Sequence, residues 1–391
     1  MSEHHLDDAA RPVTAPDFLL SRPTGSLRTQ GVARVFEDPS EAVLALRSGG
    51  AELVVGAVGF RPELLSCLVE PERVVRTDGP LEPPAYFRNR RPRAHVVAEL
   101  PTPAEHRRRV ADAIAAIRSG ALDKVVLARA VRVGVDASAP PLDPHVLCAT
   151  LIDSSPDRNG TYVDLSPAGG AHTGTVLVGS SPELLVRRRG DRVECHPLAG
   201  SAPSSADPAT DQATARALRD SAKDLAEHAF VVDALVAALE PLCTDLRVPE
   251  RPSLSSTGEM WHLGTTLTGR LTDPRVTALE LALAVHPTPA ICGSPTDAAR
   301  ELVLGVEGER GFYSGATGWT DASGDGEWMV TIRCATVDAD RRGATVWAGG
   351  GIVAGSDPDA EVDETRAKMR TVLGAFGVEP GAPGSRVPSG G

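Results

Sequence analysis

The sequence predicts a mixed α/β fold of the α+β kind, with helices and short strands sharing one large domain. Three observations predict it. Runs rich in β-branched residues, such as VVLARAVRV (Val125–Val133), are bounded by Gly, Pro and Asp clusters and read as strands. Stretches opened by Ser, Thr or Asp and carrying apolar residues three and four apart read as helices. The pair Gly190–Asp191 separates two strand-like runs, the spacing of a tight hairpin. The chain has 391 residues with no Gly/Ser linker and no internal repeat. One domain is therefore expected over residues 16–378, with disordered ends at 1–15 and 379–391.

Composition narrows the function. A net charge of −12 argues against nucleic acid as a partner, because phosphate binding needs a basic footprint. No run of about 18 apolar residues is present, so no membrane span is expected. The acidic start MSEHHLDDAARP lacks the apolar core of a secretory signal. The 6 cysteines are scattered without a CxxC pair, which fits a reducing cytoplasm and neither a zinc site nor a disulfide framework. A cytoplasmic monomer acting on a small molecule is the expectation.

Residues 16–93 read as short strands and loops. A helix follows over Pro101–Ser119, with Thr102 as cap, Glu105 at capping-box spacing and Gly120 as its end. Ala121–Val135 is a strand, Asp143–Asp153 a helix, Asp153–Gly170 a polar loop, and Thr175–Pro203 two strands around the hairpin turn. Asp211–Leu242 is the longest helical pattern. Pro252–Leu271 holds a strand, Val276–Ala284 a short helix, His286–Pro295 a proline-rich turn and Asp297–Val306 a further helix. Gly311–Thr336 reads as two strands around a Gly/Asp/Ser turn, ending with Arg333 in an apolar strand. Last comes a glycine turn at Gly349–Gly351 leading into a helix capped by Ser356 or Asp357, with Pro358 in its first turn.

Chemistry concentrates where lysine does. Only Lys124, Lys223 and Lys368 occur; arginine supplies the other basic charge, and arginine is too basic to act as a general base at neutral pH. With period two, Lys124 falls on the face of Val126, Ala128 and Ala130, and an amine desolvated there would suit a general base. The plain alternative is a strand-start lysine reaching water. Glu183 stands at the head of an apolar strand, a general acid if buried or an ordinary solvated carboxylate if not. Asp224 and Glu227 are spaced i, i+3 beside an apolar helix face; Glu361, Glu364 and Lys368 share a second helix face. Two such pairs brought together would form an all-oxygen Mg²⁺ site, whereas each alone is equally a charged surface. A buried Arg333 would need an anionic partner, and a ligand carboxylate is one. A lone histidine such as His262 is more often structural.

The motifs KVVLAR (124–129), SSPELLVR (180–187), HPLAGSA (196–202), SAKDLAEH (221–228), WHLGT (261–265), HPTPAICGSP (286–295), GATGW (315–319), GEWMVTIRCA (326–335) and AGGGIVAGSDPDAEVDETRAKM (348–369) resemble, in this order, the chorismate-utilising enzymes, above all their isochorismate synthase branch. FLLSRP (18–23) and VVGAVGF (54–60) resemble it more weakly. The resemblance implies a single domain of antiparallel sheets wrapped by helices, with the active site between the sheet halves. It implies conversion of chorismate to isochorismate with Mg²⁺, for a dihydroxybenzoate siderophore or for menaquinone.

Carried over by motif, Lys124 would be the base activating water at ring C2, and Glu183 the acid protonating the departing C4 hydroxyl. Glu227 and Glu364 would hold the metal, Glu361 and Asp224 acting through its waters. Gly200, His262, Ala290, Arg333, Gly349 and Lys368 would line the substrate. All three lysines fall in these motifs. HPTPAICG resembles the water-using rather than the aminating members; salicylate synthase, which also eliminates pyruvate, is the same-class rival, and a non-catalytic binding protein the rival of another class. GGGIV departs from the expected AGAGIV, and the extra glycine is expected to loosen a loop around the substrate carboxylate.

Overall fold

The computed structural model describes residues 15–88 and 92–378. The disordered ends expected at 1–14 and 379–391 lie outside the described residues. Ala15, placed with that N-terminal end, is instead buried, and its carbonyl accepts from Gln30 Nε2 at 2.9 Å.

Among the described residues antiparallel pairing builds three sheets, and alternation along the strands explains how the two large ones stack. In Leu53–Val58, Leu53, Val55 and Ala57 join one apolar cluster while Val54 and Val58 join another. Phe18 and Leu20 likewise part from Leu19. Both faces of these interior strands are therefore buried, one against the other large sheet and one under helices, whereas the edge strand Arg73–Thr77 is exposed throughout.

The larger sheet runs, edge to edge, through Gly293–Ser294, Lys124–Gly134, Gly343–Ile352, Cys334–Val337, Val176–Gly179, Gly160–Asp164, Phe18–Arg22, Gly25–Gln30 and Arg73–Thr77, with His95–Leu100 also paired to Lys124–Gly134. The second sheet centres on Leu184–Arg189, Gly326–Val330 and Ala316–Asp321. A third, small sheet joins Leu198–Pro203, Met260–Gly264 and Ser253–Ser256. Helices Pro144–Ser154 and Pro358–Ala375 cover the first sheet, while Ala222–Leu239 and Ala278–Val285 cover the second. The fold class read from the sequence, antiparallel sheets wrapped by helices, is what forms.

Several boundaries differ from the sequence reading. The long pattern 211–242 is two helices, Pro208–Arg219 and Ala222–Leu239, because Ser221 caps the second by accepting from the Asp224 N–H at 3.3 Å. The polar loop 153–170 contains the strand Gly160–Asp164, in which Thr161, Tyr162 and Val163 favour a strand and pairing on both sides holds it there. Thr175–Pro203 makes four strands rather than two, although the turn at Gly190–Asp191 stands. Pro252–Leu271 is three. Gly349–Gly351 form no turn or loop: they lie within the strand Gly343–Ile352, opposite Ala128, Leu127 and Val126. Arg333 is not in a strand; it sits just before Cys334–Val337 with φ of 50°.

Candidate active site

A cavity lies where the three sheets meet. From the second sheet comes Glu183, one residue ahead of Leu184–Arg189. Gly200 and His262 come from the small sheet, and Gly349 from the first. Ala290 and Arg333 complete the wall between strands, and helix residues Glu227, Glu364 and Lys368 close it. Lys124, Asp224 and Glu361 stand behind this lining rather than in it.

Two glycines of the site leave space that a side chain would take up. Gly200 has φ of +76° at a bulge in its strand, and a Cβ there would stand 3.0 Å from that of Asp224. At Gly351 a Cβ would overlap Glu227 Oε1 and stand 3.0 Å from Lys124 Cε. The missing side chain at 351 is thus the room in which a buried lysine and a buried carboxylate meet.

Every lysine of the chain is paired with a carboxylate here. Lys124 Nζ lies 3.1 Å from Glu227 Oε1, Lys223 Nζ 3.3 Å from Glu361 Oε1 and Lys368 Nζ 2.6 Å from Glu364 Oε1. Lys368 also donates to Gly349 O at 3.0 Å, and Ser201 Oγ to Glu364 Oε1 at 2.9 Å. Lys124 is fully buried and, apart from the charge contact with Glu227, its amine finds no well-aligned hydrogen-bond acceptor among the described residues.

The electrostatics separate the groups. Burial pushes Glu183 up to about 7, against the pull of a backbone N–H at Leu198 and of Lys124, Lys368 and Arg333. Burial and the neighbouring Glu364 charge raise Glu361 to about 7. Burial also raises Asp224. Glu364 goes the other way: burial would raise it, but Lys368 and the hydrogen bonds from Lys368 and Ser201 hold it below the usual carboxylate range. His262 is pushed well down by burial and then by Arg333 and Lys368, so it is neutral, and its Nε2 accepts from Arg333 Nη2 at 3.3 Å. Arg333 is buried with no carboxylate within ion-pair distance among the described residues, leaving a guanidinium for an anion in the cavity.

The carboxylates also suit a hard cation. Among the described residues no three acidic, histidine or cysteine side chains converge as ligands, because each glutamate is turned to its lysine. Yet Glu361 Oε2 is buried without a hydrogen-bond partner among the described residues. A Cβ on Gly350 would stand 2.8 Å from that atom and 3.7 Å from Glu364 Oε1, so both carboxylates border one space over a bare backbone. Glu227 borders the next glycine. Oxygen donors of this kind fit Mg²⁺.

The family described as chorismate binding enzyme matches residues 81–377. The chain belongs to the chorismate-binding enzyme family. A Mycobacterium tuberculosis protein bearing the name MenF is 50% identical over 370 residues, spanning 93% of this chain and 97% of its own. The isochorismate synthase DhbC of Bacillus subtilis is 42% identical over 379 residues, covering 93% and 94%. The solved DhbC structure from Bacillus anthracis superposes with a TM-score of 0.84 at 35% identity, over 93% of this chain and 96% of that one.

Sequence reasoning missed Ser201, Tyr313, Ser314 and Gly351, all in the cavity wall of this chorismate-binding chain. Tyr313 carried the same signal as the lysines: it is one of only 3 tyrosines. Its hydroxyl lies over Gly349, 2.9 Å from where a Cβ would be, and its ring stacks on Trp347 at 5.3 Å.

Proposed function

We propose that this chain is an isochorismate synthase, converting chorismate to isochorismate with Mg²⁺, as a cytoplasmic monomer needing neither nucleic acid nor membrane. One observation carries the reading: a buried lysine begins a strand of one sheet, a buried carboxyl of raised pKa precedes a strand of the other, and a cavity with an unpaired arginine lies where the sheets meet.

In this reading Lys124 takes a proton from water as the oxygen forms its bond to ring C2. The ring double bond shifts, the C4–oxygen bond breaks, and Glu183 gives its proton to the departing hydroxyl, so one water enters and one leaves. A carboxyl near its midpoint at neutral pH is suited to that role. Arg333 and Lys368 meet the negative charges of the substrate, and neutral His262 holds Arg333 in place. Glu227 and Glu364 would hold Mg²⁺, with Glu361 and Asp224 acting through its waters. When bound, the metal neutralises and orients the ring carboxylate.

Support for the product comes from relatives such as the Bacillus subtilis protein named an isochorismate synthase. Dihydroxybenzoate siderophore or menaquinone synthesis is the proposed destination. The test is proton NMR of chorismate with the purified protein, with Mg²⁺ and with EDTA. Isochorismate forming only with Mg²⁺ is the expected result; salicylate with pyruvate, or unchanged chorismate, would overturn it.

A further inference from the structure

Lys223 has no part in the chemistry just described, yet it is placed against its local preference. It stands in the first turn of Ala222–Leu239, where the helix dipole disfavours a cation. Its ammonium reaches across to the other helix and donates to Glu361 Oε1 at 3.3 Å. Among the described residues it has no other hydrogen bond, and its side chain is 34% exposed whereas that of Glu361 is 2% exposed. The other two lysines are held. Lys124 is sealed in the core, and Lys368 is tied to both Glu364 and Gly349 O.

We propose that Lys223 is an internal competitor for the cation site, its ammonium and a divalent cation being alternative partners of Glu361. The other oxygen of Glu361 is buried and has no hydrogen-bond partner among the described residues, so the carboxylate is half committed to the lysine and half open towards Glu364 and Gly350. All four proposed metal carboxylates act on this one amine. Burial works to lower Lys223, and Glu361, Glu227, Asp224 and Glu364 together hold it above the usual lysine range. A flexible four-carbon stem with one exposed flank lets the charge leave for water without disturbing either helix. The lysine thereby offsets the repulsion of a buried acidic cluster and raises the cation concentration needed to fill it.

This inference rests on the proposed cation site, and its test separates the two. The full chain, without chorismate, is titrated with Mn²⁺, and free Mn²⁺ is followed by electron paramagnetic resonance. Lys223→Met keeps the stem and removes the charge; it is expected to bind Mn²⁺ at least about tenfold tighter than wild type, the factor that 1.4 kcal/mol carries. Lys223→Gln carries the same expectation, while Lys223→Arg should stay within about threefold of wild type because it retains a cation. Thermal unfolding in EDTA should show a lower midpoint for Lys223→Met than for wild type, recovered by Mg²⁺. Glu361→Gln should lose affinity. If Glu361→Gln loses Mn²⁺ while Lys223→Met matches wild type or binds more weakly, the competition is overturned and the cation site stands. If neither wild type nor Lys223→Met binds Mn²⁺, the cation site falls and this inference with it.

Discussion

Lys124 Nζ and Glu227 Oε1 lie 3.1 Å apart, with the lysine side chain fully buried and the glutamate 9% exposed. The pair joins the first strand-end of one sheet to a helix that packs on the other, so it is both a structural tie and the place where a base and a metal ligand would meet. Each partner gives the other a polar contact in a region shut off from water.

Removing the amine therefore has two effects. Lys124→Ala should lower turnover about a hundredfold or more, the usual scale for loss of general-base help. It should also destabilise the fold by about 3–5 kcal/mol, because Glu227 is left as an unpaired buried charge. Lys124→Gln keeps a hydrogen-bond donor of similar length for Glu227 but no basic amine, so it should recover part of the stability and none of the turnover. Chemical denaturation and chorismate turnover, measured on the same preparations, check the split.

The glycines give a steric test of the same pair. Gly351→Ala drives a methyl into Glu227 Oε1 and against Lys124 Cε. It should cut activity at least about tenfold, since misplacing catalytic groups by an ångström carries penalties of this order or more. Gly374→Ala, in the helix Pro358–Ala375 and with nothing within 4 Å of its added carbon, should keep activity and gain roughly 0.5–1 kcal/mol from helix propensity. Equal activity in the two variants would show that the room at Gly351 is not needed.

Much of this site was legible in the sequence because its signals were local. The lysine count marked Lys124 and Lys368, helical spacing placed Glu361, Glu364 and Lys368 on one face, and period two put Lys124 on an apolar face. The glycine run misled for a physical reason. Three glycines signal a turn when only backbone freedom is considered, but here they serve close approach: the strand passes under Tyr313, Glu361 and Glu227, which arrive from remote parts of the chain. The break at Ser221 was hidden because apolar periodicity runs through both helices, and only the Ser221 cap separates them. Ion pairing between lysines and carboxylates up to 138 residues apart has no signature along the sequence.

Glu364 is the carboxylate with most to lose by substitution. Its Oε1 accepts from Ser201 and pairs with Lys368, and those partners keep it ionised despite burial. Glu364→Ala should raise the Mg²⁺ concentration for half-maximal activity by at least about tenfold, the scale at which loss of even a supporting contact weakens metal sites. An Mg²⁺ titration of chorismate turnover reads this directly. Unchanged metal dependence would remove Glu364 from the ligand set.

Glu183 links stability, protonation and turnover in one pH window. Its carboxyl is raised from an ordinary 4.5 to about 7 by burial. As the proposed acid it must carry a proton, so turnover should fall as pH rises through about 7. Glu183→Gln should lower turnover about a hundredfold or more, with the residual activity flat across that limb. The same shift sets a stability slope. With the folded pKa above the unfolded one, the folded protein binds the extra proton between about 4.5 and 7. Stability from this group is fully present below 4.5 and lost as pH rises to about 7, a loss on the order of 3 kcal/mol. Glu183→Gln has no proton to lose, so its stability relative to wild type should improve across that window and level off above it. Denaturation curves at pH 4.5, 6 and 8 (about 4.5 and 7 being the two relevant pKa values) would show this. A wild-type turnover profile with no alkaline limb, together with parallel stability curves for the two proteins, would remove Glu183 as the proton donor.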